Sequence, residues 1–254
     1  ENTLVGYAAG SKITSGTKNH GFGSMALYET TTQHSNSAFG ENALMNNAAS
    51  YNTAVGAFAL DANTTAGGNV AIGYNAMTTN ISGPTNTAVG YEALQANTEG
   101  ESNTAIGPWA LNGNQTGDNN VAVGIYALDA ANTTSNTTAV GAYALSAQTS
   151  GDGNTAIGSN ALMTTQTGGT NTAVGRNSLK LCTVGGNTAV GYASADAITT
   201  AGSCVAVGYF ALSANQTSAD CTAVGHHALY ASTAASNTAF GANAGDALTI
   251  GSNN

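Results

Sequence analysis

Apolar and polar positions recur along this chain with one short period. The phrase is Asn-Thr-Ala-Val-Gly-x-x-Ala-Leu, and its glycines are Gly6, Gly23, Gly40, Gly56, Gly73, Gly90, Gly107, Gly124, Gly141, Gly158, Gly175, Gly191, Gly208, Gly225 and Gly241. Eleven of the fourteen intervals are 17 residues and three are 16. With positions counted from the phrase glycine, −1 is apolar in all fifteen copies and −2 is Ala in thirteen, with Leu4 and Gly21 as exceptions. Position −3 is mostly Thr, with Val70, Val121 and Val205 as substitutes, and −4 is Asn in twelve copies. Position +3 is Ala except at Ser178 and Ser194, and +4 is Leu in eleven copies. The alternation over −3 to −1 predicts a strand with −3 and −1 on one face and −2 on the other. The branched −1 column is expected to be buried, with −3 sharing its interior, +4 forming a second inward column and a second short element carrying Ala-Leu. Gly-, Ser- and Thr-rich stretches between phrases are turn chemistry.

A period this short is too small for a helix pair and fits two short strands and two turns. It predicts an all-β fold, a parallel β-solenoid or β-roll of about 15 coils over a single repeat domain, residues 1–254. Stacked strands set a rise of about 4.8 Å per coil. Low charge and abundant Gly, Thr and Asn also occur in disordered chains, but disorder has no need of apolar columns. One coil offers little interior, so a lone copy looks thin, and the small −2 Ala is expected to admit a neighbouring chain along a flat face.

Charge narrows the function. Four basic residues against 13 acidic ones, net −9, supply no track for nucleic acid and disfavour anionic membranes. No run approaches the roughly 20 apolar residues of a membrane span, so no membrane insertion is expected. The chain offers no cofactor motif: its Gly-rich turns lack the helix and Lys of a phosphate loop, and Asp118 and Asp152 lack the spacing of calcium-binding rolls. No nucleophile, base and acid come together by periodicity, so no catalytic residues and no enzyme are expected.

Residues 86–94 (Asn-Thr-Ala-Val-Gly-Tyr-Glu-Ala-Leu) and 69–77 (Asn-Val-Ala-Ile-Gly-Tyr-Asn-Ala-Met) resemble the head repeats of YadA-type trimeric autotransporter adhesins. They are also similar to repeat arrays of bacteriophage tail fibres that precede a self-cleaving intramolecular chaperone domain. The resemblance runs over the whole chain. It implies a left-handed β-roll in an obligate homotrimer, with −3 and −1 filling each roll and the −2 Ala near a neighbouring chain. The 17-residue period and the Leu at +4 depart from the adhesin pattern. The implied role is an extracellular fibre segment, in a virion tail fibre or on a bacterial surface, that extends and attaches through a cell-surface glycan or receptor. The chain starts and stops in register with its repeat, so it reads as a section of a longer fibre. Two alternatives stand beside this: an ice-binding solenoid, if −3 and −1 faced outward as a flat Thr-x-Val array, and a spacer shaft without a ligand.

Four groups are candidate sites. Tyr91, Trp109, Tyr126 and Tyr143 at +1 or +2 form an aromatic strip suited to stacking on sugar rings or to packing across a trimer. His226 and His227 would place six imidazoles at one level of a trimer, as a metal site or a pH-sensitive ring, or would be a solvated pair. Cys204 and Cys221 replace the −4 Asn in adjacent copies, at a spacing a disulfide tolerates, and are either a rung-to-rung clip or two free thiols. Three Cys, Cys182 included, match no usual zinc spacing. His20 at −3 is a candidate inward histidine.

Overall fold

The computed structural model describes residues 1–248 and 251–254. Two compact units, Glu1–Thr133 and Thr134–Asn254, stand where the sequence predicts a single repeat domain. Both are built from the same coil. Solenoid coils touch only their neighbours, so a unit of several coils is compact by itself. The first holds strands β1 Thr3–Val5, β2 His20–Phe22, β3 Ser37–Phe39, β4 Thr53–Val55, β5 Val70–Ile72, β6 Thr87–Val89, β7 Thr104–Ile106 and β8 Val121–Val123. The second holds β9 Thr138–Val140, β10 Thr155–Ile157, β11 Thr172–Val174, β12 Thr188–Val190, β13 Val205–Val207, β14 Thr222–Val224 and β15 Thr238–Phe240. In each unit consecutive strands pair in parallel, like position on like position: Thr87 on Thr104, Ala88 on Ala105, Val89 on Ile106. The fold is an all-β parallel solenoid, one coil per repeat.

Each coil carries one strand, not the two expected. The Ala-Leu segment is a run of overlapping turns. Around Gly90, Ala93 N–H donates to the Gly90 carbonyl at 3.4 Å and Asn97 N–H to the Leu94 carbonyl at 3.4 Å. Positions +2 and +4 hold the left-handed conformation, φ 52° at Glu92 and 53° at Leu94. Branching at Cβ is a poor fit to positive φ. No Val, Ile or Thr occurs at +2 or +4 in any copy, which explains why the second column is Leu and never Ile.

The phrase glycine is required twice over. Gly90 has φ +142°, and a Cβ there would meet the Gly107 carbonyl carbon at 2.6 Å. Consecutive phrase glycines therefore stack backbone on backbone.

The inward assignment is reversed. Every −2 Ala from Ala38 to Ala223 is fully buried, together with the +3 Ala and +4 Leu columns. The −1 and −3 side chains lie on the outer face: Ile72 is 40% exposed, Ile106 41%, and Val89, Val123 and Val174 are half-exposed. Period-2 alternation separates two faces without saying which is interior. The turn run brings Leu against the strand, and beside a Leu only Ala fits. The exception confirms the size rule: Leu4 at −2 faces Gly10 at +4, where a Cβ would lie 2.7 Å from the Leu4 methyl carbons. The −2 Ala is thus core, not a trimer face. His20 is exposed on the outer face with its column, not inward.

Two polar columns complete the interior. The −4 Asn side chains are buried, and each Oδ1 accepts the backbone N–H of the next −4 residue: Asn36 N–H on Asn19 Oδ1 at 3.0 Å, Asn86 on Asn69 at 2.8 Å, Asn103 on Asn86 at 2.8 Å, and in the second unit Asn171 on Asn154 at 2.8 Å. Most Nδ2 groups reach a carbonyl of the next coil's loop, as Asn86 does to Gly100 at 2.8 Å. A second column at +7 was not read from the sequence. Asn63, Asn80, Asn97 and Asn114 each donate Nδ2 to the preceding Asn Oδ1, beginning at Asn47, at 2.7–3.0 Å. The same Nδ2 closes its own loop, as Asn97 does on the Gly100 carbonyl at 2.9 Å. The signal was a five-copy run of Asn at +7 in the first unit. The three 16-residue intervals each lose one residue between +7 and −4, so both columns stay in register.

Two substitutions test this account by urea unfolding. Leu94→Met should cost less than about 1 kcal/mol, since Met77 already occupies that column. Leu94→Ile, ordinarily a mild swap, should cost about 2 kcal/mol or more because it places a β-branched residue at positive φ. Gly90→Ala should cost at least about 2 kcal/mol from its φ and the Gly107 contact combined.

Candidate functional site

The outer sheet face is the most regular surface on the chain. In each unit it presents a Thr or Val column at −3 beside a Val, Ile or Phe column at −1. Rows lie about 4.8 Å apart along the stack, and the two columns about 6.6 Å apart across it, the rise of two strand residues. Phe22 and Phe39 stack at 4.8 Å and 5° within this face. Its side chains are apolar or hydroxyl-bearing in every copy but one, His20.

The aromatic strip is ordered by stacking along the coils. In the first unit Tyr74 and Tyr91 stack at 5.6 Å, Tyr91 and Trp109 meet edge-on at 5.1 Å, and Trp109 and Tyr126 stack at 4.9 Å and 3°. Trp109 Nε1 donates to Glu92 Oε2 of the coil before at 2.9 Å. Tyr143 stands at the same +2 position in the second unit, 42% exposed. A sugar stacks on an open ring face. Within these runs Tyr74 with Tyr91 and Trp109 with Tyr126 cover one face of each ring, while Tyr91 and Trp109 meet edge to face.

His226 and His227 belong to the matching stack of the second unit. Their rings lie 4.2 Å apart at 3°; Tyr209 stacks on His226 at 5.4 Å and Tyr230 on His227 at 4.8 Å. Among the described residues no three His, Cys, Asp or Glu side chains gather as a metal site. The pair is part of an aromatic cluster in this chain.

Cys182, Cys204 and Cys221 are buried free thiols; no disulfide joins Cys204 to Cys221. Cys204 continues the −4 column by donating its N–H to Asn187 Oδ1 at 2.9 Å. Its sulfur contacts the Ser218 carbonyl at 3.5 Å, and the Cys221 sulfur the Ala219 and Ala234 carbonyls at 3.5 Å. The neighbouring Cys221 sulfur raises Cys204 well above the usual thiol range, with burial adding to the effect. The neighbouring Cys204 thiol holds Cys221 down at about 6. Burial raises Cys182.

Charged side chains are few, and some pair within a column. Lys12 and Glu29, both at +6 of adjacent coils, form an ion pair at 2.6 Å. Glu101 N–H donates to Asp118 Oδ1 of the next coil at 2.8 Å. Asp129 is the exception: half-buried at +5, it has a buried Oδ1 without a partner among the described residues. Desolvation raises its carboxyl to about 6 against the lowering pull of its own and Ala130's backbone N–H groups.

No protein family, curated protein or solved structure matches the chain. No helix among the described residues is long and apolar enough to cross a membrane.

The Asp129 environment predicts a pH dependence. Because its folded pKa lies above the unfolded value, its favourable contribution is complete below about pH 4 and is lost as pH rises through about 6. Asp129→Asn should therefore be more stable than wild type at pH 7.5, by on the order of 1 kcal/mol after solvent screening of a half-exposed group. The advantage should shrink steadily towards pH 4, as read from paired urea titrations.

Proposed function

We propose that the chain is a shaft segment of a trimeric extracellular fibre, of a phage tail or a bacterial surface, whose work is extension and multivalent presentation rather than chemistry. One observation carries this reading: in each unit the outer sheet face is an apolar and hydroxyl-bearing surface, broken only at His20 in the first, on coils whose interior is already filled. Each half-exposed Val or Ile offers about 1 kcal/mol on burial. The columns repeat identically in every copy, so three chains related by a three-fold axis present the same surfaces to one another at every level. Net charge −9 leaves little for an anionic partner, whereas an apolar stripe suits a second copy. The phrase resemblance points the same way, with the contacting face moved from the −2 Ala to −3 and −1. The mutual packing of Tyr91, Trp109 and Tyr126, edge-on and then stacked, favours an axial stiffening role over face-on glycan binding, so attachment is assigned to parts of the fibre other than this strip.

A second reading, an ice-binding surface, is favoured by the same outward array of Thr or Val beside Val or Ile, which is regular over β4–β8 and over β9–β14. Phe22, Phe39 and Phe240 interrupt it towards the ends. The two readings differ in oligomeric state. Light scattering on the full chain should give three times the chain mass. Ile72→Asp with Ile106→Asp should give a folded monomer, while Asn75→Asp with Asn160→Asp leaves the trimer intact. A wild-type monomer that arrests ice growth would replace the fibre reading with the second.

A further inference from the structure

Cys204 and Cys221 stand one above the other at −4 of adjacent coils, immediately before Val205 and Thr222, which pair directly in the sheet. In twelve copies this position carries Asn, whose amide both donates and accepts along the column; here two thiols interrupt it. The sheet holds the paired residues at about 4.8 Å, and side chains on in-register parallel neighbours run side by side at close to that spacing. A disulfide needs the two Cβ atoms drawn to about 3.8 Å, against the ladder. Two metal–sulfur bonds of about 2.3 Å, the length of a zinc–thiolate bond, placed in line span about 4.6 Å, which is close to the rung. We propose that Cys204 and Cys221 form a two-coordinate site for a soft monovalent cation, Cu(I) or Ag(I), joining two coils through one sulfur–metal–sulfur bridge.

The surroundings select this class of ion. Thiolates prefer soft ions. No third His, Cys, Asp or Glu ligand joins the pair, so the four ligands of a structural zinc site are lacking among the described residues. The oxygens near the sulfurs are neutral carbonyls of Gly202, Ser218, Ala219 and Ala234, hard donors that do not compete for a soft ion. Cys182 stands apart in the +7 column, where Asn187 Nδ2 donates to its sulfur at 3.5 Å. Binding exchanges the thiol protons for the cation: two thiols and M⁺ give the bis-thiolate complex and two H⁺, with no redox step.

The test uses the reduced full chain, Ag(I) as the probe and an excess of a small monothiol, which strips silver from isolated cysteines. Native mass spectrometry should find one Ag(I) per chain on wild type and on Cys182→Ser. The double variant Cys204→Asn with Cys221→Asn restores the residue found in neighbouring coils and should keep the wild-type circular dichroism while retaining no silver. Silver loading should also raise the Tm of wild type but not of the double variant. The proposal is overturned if wild type retains no silver, if the folded double variant retains as much as wild type, or if Cys182→Ser alone abolishes binding.

Discussion

Each side chain in this protein has as its nearest non-local neighbour the residue at the same position one coil away. That constraint of self-compatibility, imposed by strand stacking at about 4.8 Å, governs the composition. A column of like charges at that spacing would cost about 3–4 kcal/mol per pair at an effective dielectric constant near 20, which accounts for a charged fraction of only 7%. Asn suits a column because one amide donates and accepts at once. Aromatic rings suit it because they stack on themselves. Glycine suits the corner because two backbones meet there. Charge enters as opposite signs in one column, as in Lys12 over Glu29, or in the loops, where Asp118 follows Glu101 and accepts its backbone N–H.

The interior follows from the backbone of the turns. Overlapping turns put +2 and +4 in the left-handed region, which excludes β-branched residues and leaves Leu as the large apolar choice. Leu fills the space opposite the strand, so the strand's inner residue is Ala. The branched residues are then displaced to the outer face, where extended backbone accepts them. The two amide columns close the remaining sides and satisfy loop carbonyls that would otherwise be buried without donors. An interior of Ala, Leu and Asn is therefore complete within one chain, and the apolar face outside it is surplus to the fold. That surplus is what the proposed assembly would bury.

Departures from the repeat mark where local chemistry changes. Asn114 Oδ1 has no donor among the described residues because the next +7 residue is Ala131, so the second amide column ends there. Asp129, close by, carries its unpartnered oxygen at a raised pKa. Ser178 and Ser194 stand in the +3 Ala column and resolve their hydroxyls on the Ala189 and Ala206 carbonyls at 3.0 and 2.8 Å. The thiol pair at 204 and 221 differs from these: it replaces an amide rung by groups with their own ligand chemistry.

The period, the parallel stack, the strand position and the presence of two distinct faces were all legible in the sequence, because stacking forces like residues into register and register is visible as repetition. The sequence reading also found the Cys pair and the aromatic strip, since each follows from column and interval alone. It did not determine which face is inside. Thr-Ala-Val alternates identically either way, and the choice depends on what the turn run brings opposite the strand: Leu94 against Ala88 leaves no room for Val89. Nor could it show that Tyr91, Trp109 and Tyr126 pack ring against ring, because that depends on side-chain orientation across coils. The +7 Asn column escaped for a related reason. Its residues lie in loops of variable length and composition, and only the closed coil shows that Asn47 to Asn114 stand in line.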